Sequence, residues 1–277
     1  MISWESMRLS PKLLALPAGF ALACSLATDL SGLGGSDASS EDASHSDGAP
    51  PDSSAGDATV EDTGSDAAID GGDASSSVVN VQIGPLAYVS TGGSLSPTLQ
   101  VASTKGTLLV ATLTCDSTTG TIGAPSGWTL AATGTGFATC SAILYAANNP
   151  GGITTATFTS TNGGALAAHL SEWSGVTTLD QTGTASTSSA TVAVTVSTSA
   201  ALAAGGELGI TAFGQATGQQ QAITYTPDVG WTAFGATATT RMHYTADYRI
   251  GVGPGTVSDS VTASLAATWS GVIATFK

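Results

Sequence analysis

Gly106-Thr107-Leu108-Leu109-Val110-Ala111-Thr112-Leu113 is answered farther along the chain by Gly206-Glu207-Leu208-Gly209-Ile210-Thr211-Ala212-Phe213. Each octet opens on a glycine and continues as a short apolar run carrying Val, Ile, Thr and Leu. Such runs are too short for an ordinary helix, and their β-branched content favours strands. Working outward, Gly127-Trp128-Thr129 matches Gly230-Trp231-Thr232, and Tyr145 falls on Tyr248 at the same offset. A repeat of roughly a hundred residues is too long for a solenoid unit. It fits two similar halves, 106–176 and 206–272, of one sandwich, or two small sandwiches packed together.

The rest of the region 78–277 reads the same way. Strands are expected near 78–83, 107–114, 128–133, 138–147, 153–159, 165–173, 190–196, 207–213, 222–226, 240–250, 256–263 and 268–276. Gly, Pro, Asn and Ser separate them, as in the turn cluster Asn148-Asn149-Pro150-Gly151-Gly152. No stretch sustains a 3.6-residue period. Many short strands between turn signals predict an all-β domain, a β-sandwich or jelly roll.

Composition narrows the function. The 277 residues include six Lys or Arg and twenty Asp or Glu, a net charge of −14, and only 9% are charged. With no basic patch, a nucleic-acid partner that needs its phosphates neutralised is excluded. The scarcity of Lys, Arg and Leu beside abundant Thr and Val argues against a helical protein.

Residues 1–23 have the parts of a secretory signal. Arg8 and Lys12 give a basic start, Leu13 to Ala23 is apolar, and Ala23 offers the small residue before a cleavage point. The run is shorter than the roughly 20 residues that span a bilayer. One reading is an ordinary signal peptide cut near Ala23. The other takes Cys24 into account: Ala21-Leu22-Ala23-Cys24 resembles a bacterial lipobox. That resemblance implies that Cys24 becomes the first residue and carries the lipid. In the bacterial lipoprotein family an Asp after the cysteine marks inner-membrane retention, so Ser25 implies an outer-membrane or cell-surface location.

From Ser25 to Ser77 the chain carries twelve acids and no Lys or Arg, and after Leu33 its only large aliphatics are Val60 and Ile69. Such a segment cannot bury enough apolar surface to offset its lost entropy. Residues 24–77 are therefore expected to be a disordered acidic tether, spanning roughly 40 Å as a neutral coil and more under self-repulsion. Its acids lack the alternating ligands and closing Glu of a calcium loop, so no metal is expected there. The segment resembles the Asp/Ala/Gly/Ser-rich tethers of myxobacterial-type surface lipoproteins. In the folded part, Pro125-Ser126-Gly127-Trp128-Thr129-Leu130, Glu172-Trp173-Ser174-Gly175-Val176 and Ala274-Thr275-Phe276-Lys277 resemble jelly-roll modules of secreted bacterial and phage-tail-like proteins. This second resemblance implies a fold and a setting, and no activity.

Cys115 and Cys140 remain once Cys24 is assigned to the lipid. In an exported chain they are expected as a disulfide, with free buried thiols as the alternative.

The segment 240–250 holds the candidate ligand face. Arg241, His243, Thr245, Asp247 and Arg249 alternate with Met242, Tyr244, Ala246, Tyr248 and Ile250, so a strand sends the two sets to opposite faces. The matching positions of the first half, Cys140, Ala142, Leu144 and Ala146, are uncharged. Two readings stand: a solvated face on which Asp247 pairs its arginine neighbours, or a polar ligand surface. On the second, Arg241, His243, Asp247 and Arg249 bind sugar hydroxyls or a carboxylate, and Trp128 or Trp231 stacks on a sugar ring.

Catalytic signals are sparse. There is no Gly-x-Ser-x-Gly elbow, no His-Glu-x-x-His and no paired Cys-x-x-Cys, so neither catalytic residues nor a metal or other cofactor is assigned. His169, Ser171 and Trp173 share a strand face, which is insufficient for a nucleophile without an acid behind the imidazole. Glycan cleavage needs two carboxylates about 5–9.5 Å apart. Its candidates Asp116, Glu172, Asp180, Glu207, Asp228, Asp247 and Asp259 are scattered in sequence. The leading expectation is a lipid-anchored surface protein whose head binds glycan or another surface protein. A glycan-cleaving jelly-roll enzyme and a purely structural coat module are the alternatives.

Overall fold

A computed structural model describes residues 77–117, 119–217, 222–238 and 242–277. The signal segment, Cys24, most of the tether and Arg241 lie outside the described residues. All of the regular structure described is β.

The first half contains β1 (Val79–Ile83), β2 (Ala87–Val89), β3 (Ser94–Leu95), β4 (Leu108–Cys115), β5 (Ile122–Gly123), β6 (Thr129–Thr135), β7 (Cys140–Ala146), β8 (Phe158–Ser160) and β9 (Leu166–Ser174). The second contains β10 (Leu179–Ser186), β11 (Thr191–Ser197), β12 (Glu207–Ala216), β13 (Tyr225–Pro227), β14 (Thr232–Ala238), β15 (Met242–Val252) and β16 (Ser258–Phe276). The main sheet of the first half runs β1-β9-β4-β7-β6, and that of the second runs β10-β16-β12-β15-β14. Position for position these are the same order. Both sheets are open and antiparallel.

Register makes the correspondence exact to the residue. Val110 opposes Tyr145 as Ile210 opposes Tyr248, and Cys115 opposes Cys140 as Gln215 opposes His243. The repeat read from sequence thus falls on two sheets that share one strand order and register. The observed strands depart from expectation in several places, and β2, β3, β5 and β14 lie outside the expected runs. The runs 256–263 and 268–276 are one continuous strand, β16, whereas the first half breaks the same stretch into β8 and β9 at Thr161-Asn162-Gly163-Gly164. The strand β10, Leu-Asp-Gln-Thr-Gly-Thr-Ala-Ser, was not expected, because its few apolar residues do not alternate.

The two main sheets pack face to face. Leu108, Val110, Ile143 and Trp173 from one meet Ile210, Met242, Tyr244, Val272 and Phe276 from the other in a single buried cluster. The contact is reciprocal: Tyr145 of the first half packs edge-on against Phe276, and Tyr248 of the second against Trp173. Trp173 and Phe276 are themselves equivalent, since they oppose Leu108 and Leu208. Contacts exchanged in this way are those of a two-fold interface. A Cβ at Gly214 would meet the Thr114 side chain at 2.5 Å, so glycine there lets the sheets approach.

Each main sheet is also covered on its outer face. Leu109, Ala111, Leu113, Ala142 and Leu144 are buried beneath the small sheet β3-β8-β5 through Leu95, Ile122 and Phe158. In the second half β11, β13 and the first part of β16 bring Val194, Val196 and Val261 over Phe213, Val252 and Ile273. The result is a β-sandwich-like stack in which both central sheets are buried on both faces. This accounts for the mainly apolar runs of β4 and β12, whose residues, Ala216 apart, are buried whichever way they face. A disulfide joins Cys115 and Cys140, as expected, with Cα atoms 5.0 Å apart.

Candidate functional site

The face of β15 that alternation marks as charged is not solvated. His243, Thr245 and Asp247 are as completely buried as Met242, Tyr244 and Ala246 on the other side. The outer layer of the second half covers them, a burial that strand periodicity alone does not reveal. Of the ladder, only Arg249 is exposed among the described residues, where the strand runs out from under that layer. Neither reading of this face therefore survives at His243 or Asp247. Trp231 is likewise buried, and its indole N–H donates to the Ser258 carbonyl at 3.0 Å. Trp128 is half-buried and stacks edge-on against Phe158 at 5.2 Å, so its ring belongs to the outer core of the first half.

Among the described residues Asp247 pairs with no arginine. Its neighbour is a second buried carboxyl, Asp259. Among the described residues no N–H or hydroxyl donates to either Asp247 oxygen. The Thr211 hydroxyl donates to one oxygen of Asp259 at 2.6 Å, and the other has no donor. Burial, with Asp259 alongside, pushes Asp247 up to about 8; burial pushes Asp259 to about 6 against the pull of Thr211. The two carboxyls titrate as a pair. They are separate in sequence and meet only because the first part of β16 folds back over β15. With no exposed surface, they offer no cleft for the two-carboxylate chemistry of glycan cleavage.

The remaining carboxylates divide clearly. Glu172 is buried and satisfied: it accepts from Gln82 Nε2 at 2.5 Å, the Thr104 N–H at 2.7 Å and the Thr107 hydroxyl at 2.8 Å. Burial alone would raise its pKa, but these donors outweigh it and hold the group below the usual range. Glu207 is buried too, with one oxygen lacking a donor; burial and then the Asp180 charge raise it. Asp180 forms an ion pair with Lys277. Among the described residues no three His, Cys, Asp or Glu side chains converge to hold a metal ion.

His169 and Ser171 do not form a nucleophile. The Ser171 hydroxyl donates to the Val110 carbonyl and accepts from the Trp173 indole, while His169 Nδ1 lies 3.0 Å from the Gly84 carbonyl. Burial lowers the His169 pKa, so the ring is neutral and packs between Tyr244 and Phe234 as a core residue.

An open groove lies elsewhere. It encloses about 400 Å³ and is built from both halves, with Asp116 and Phe137 from the first and Ala216, Thr217, Ala267 and Thr268 from the second. Phe137 is 70% exposed, the most exposed aromatic ring among the described residues. It stands in the tight β6–β7 turn closed by the Gly136 N–H on the Thr139 carbonyl at 2.7 Å. Behind the groove, buried His243 shares a 3.2 Å hydrogen bond with the Thr217 hydroxyl and so fixes that wall. The sequence carried a signal for Phe137, an aromatic at the centre of a two-residue turn where side chains face water. It carried none for the far wall, Ala216, Thr217, Ala267 and Thr268, which lie 79 or more positions farther along the chain than Phe137. No protein-family model, curated protein or solved structure matches this chain.

Proposed function

We propose that the chain is an exported surface protein, fastened to the membrane by a lipid on Cys24 and carried on its acidic tether, whose jelly-roll-like head binds glycan. The observation that carries the binding reading is the Phe137 groove. A ring left in water at the rim of a groove walled by alanines, two threonines and Asp116 supplies the apolar platform on which the C–H face of a sugar packs. The Asp116 carboxylate accepts from neighbouring sugar hydroxyls, and Thr217 and Thr268 line the opposite wall. Asp116 is the charged group among these lining residues, which favours neutral sugars over acidic ones. Burial of the Asp247–Asp259 pair supports binding over cleavage.

A glycan array probed with the full chain tests this. Phe137→Ala is expected to weaken the retained glycan at least about tenfold, or ~1.4 kcal/mol. Asp116→Asn is expected to weaken it less. Binding untouched by both substitutions removes the groove from the function. Shortened glycan products point instead to the glycan-cleaving enzyme, and an array without signal points to a surface-protein partner. Mass spectrometry of the mature N-terminus checks the anchor: a Cys24 without lipid ends that part of the proposal.

A further inference from the structure

The two carboxyls beneath the outer layer of the second half have counterparts in the first half, and the counterparts are apolar. Asp247 opposes Thr211 as Leu144 opposes Ala111. For Asp259, the turns give the register. The Trp128 N–H donates to Pro125 and the Trp231 N–H to Asp228, while Ile122 opposes Ser160 and Tyr225 opposes Ala263. Counting back equally from Ser160 and Ala263 places Ala156 on Asp259. Leu144 and Ala156 are ordinary members of the first half's outer core. The fold therefore needs no acid at either place.

We infer that the Asp247–Asp259 pair is a proton-operated clasp that holds the outer layer of the second half to its main sheet in mild acid and loosens it as pH rises.

Asp247 stands on the main sheet in β15 and Asp259 on the covering stretch of β16, so the proton they share spans the two layers. While one carboxyl is protonated, its O–H donates to the other, and the pair is a neutral donor facing an acceptor stabilised by Thr211. Removing that proton leaves two adjacent negative charges in an apolar layer, with the Thr211 hydroxyl as donor to one oxygen. Like charges so placed cannot both ionise without separation or entry of water.

Among the described residues no cation compensates the pair. Asp228, in the turn before Trp231, adds to the negative field at Asp259. Arg249, on the same strand as Asp247, is exposed and lies over Gly230. His243, on the same face, hydrogen-bonds Thr217. From β14 and β11 the residues opposite are Ala233 and Val196, which do not titrate, and β12 presents Thr211. The layer freed by deprotonation carries β11, β13 and the turn at 228–230, and its hold on Trp231 passes through Ser258, next to Asp259.

The sign is fixed by linkage. Both folded pKa values lie above the ordinary aspartate value, so the folded state holds protons that the unfolded chain has lost, and stability falls as pH rises through the folded values. The test compares the full chain with Asp247→Leu/Asp259→Ala, which installs the residues of the first half. Denaturant unfolding is followed at about pH 5 and pH 8.5. The ratio of folding constants, variant over wild type, is expected to grow at least about tenfold between the two, a tenfold change being the effect of a one-unit shift. Taking the ratio cancels the histidines and Glu207. A ratio independent of pH overturns the clasp, as does a Glu207→Gln chain in which the wild-type fall has vanished. Should the double variant fail to fold, infrared spectra of the wild-type chain, with ¹³C in its aspartate carboxyls alone, decide the matter. A protonated aspartate band persisting at about pH 6 upholds the proposal, and its absence overturns it.

Discussion

The two halves share one strand order and one interior, and they differ in what they bury on their outer faces. In the first half the paired positions on neighbouring strands are Cys115 and Cys140, joined covalently. Their counterparts are Gln215 and His243. There the Gln215 amide donates to the Leu265 carbonyl at 2.7 Å and accepts from the Tyr225 hydroxyl at 3.0 Å. The first half buries a carboxylate, Glu172, with three donors, and the second buries the Asp247–Asp259 pair with a single threonine. A carboxylate and a threonine even exchange places between the halves. Thr107 faces Glu172 in one, and Glu207 hydrogen-bonds Thr275 in the other. The apolar face between the sheets, which both halves contribute, sets the fold. The outer faces answer only to their own covering layers and are free to carry different chemistry.

The sharpest way to break the comparison is to move the acid across it. Leu144→Asp places a carboxylate in the first half where Ala111 stands in place of Thr211 and Ala156 in place of Asp259. With no donor and no second carboxyl, the substitution is expected to cost more than about 4 kcal/mol at pH 7, and less in acid where the group is neutral. Urea unfolding at pH 7 and pH 5 measures both. A cost below about 1 kcal/mol would mean that the outer core tolerates acids generally, and that the pair in the second half is unexceptional.

Next in size is the covalent link. Cys115→Ala/Cys140→Ala opens a loop with a sequence separation of 25, and the chain-entropy account puts the loss at about 3–4 kcal/mol. Calorimetry of the full chain gives the value. If the halves are as equivalent as their register says, the variant still folds, because the second half holds the same strand pair with hydrogen bonds.

Glu172→Gln follows. The three donors around Glu172 meet a neutral amide that cannot accept from all of them, an expected loss of about 2–3 kcal/mol at neutral pH. Its pKa is held below the ordinary value. Its contribution is therefore present above the ordinary value and lost as pH falls through the folded one. The wild-type chain should lose stability in strong acid and the variant should lose less, a trend opposite in sign to that of the Asp247–Asp259 pair. Stability profiles from about pH 3 to pH 9 read both limbs at once.

Much of this was legible in the sequence, and what was not shares one cause. The octets at 106 and 206, the paired Gly-Trp-Thr turns and the match of Tyr145 with Tyr248 are local signals, and each marks its strand and its register. The alternation in 240–250 marks a strand, and β15 is one, but neither the solvated face nor the ligand surface holds at His243 and Asp247, which are buried. Polar residues at every second place describe the side chains and say nothing of the layer that β11 and the start of β16 lay over them. Asp247 and Asp259 become a pair, and Asp116, Phe137, Thr217 and Thr268 a groove, only through those long-range returns. A sequence pattern with a period of two residues carries no information about them.

The smallest effect tests the covering layer itself. Trp231 and Trp128 occupy the same place in the repeated Gly-Trp-Thr turn, yet only Trp231 is buried, with its indole N–H bonded to Ser258; Trp128 is half-buried and packs on Phe158. Trp231→Phe keeps an aromatic ring beneath the layer and removes that hydrogen bond. It also leaves the Ser258 carbonyl without the donor. The expected loss is about 1 kcal/mol, the worth of one ordinary hydrogen bond. Trp128→Phe removes an N–H from a position that is partly open to water, and its cost should stay below about 0.5 kcal/mol. Because Ser258 neighbours Asp259, the Trp231→Phe loss should also depend on pH. It should be largest in mild acid, where the layer is clasped and the bond fully formed, and should shrink toward that of Trp128→Phe as the pair ionises. Unfolding of both variants at about pH 5 and pH 8.5 supplies the four numbers. Equal losses at both pH values would mean that the layer stays closed whatever the charge on the pair, which separates the behaviour of the outer layer from the titration of the carboxyls beneath it.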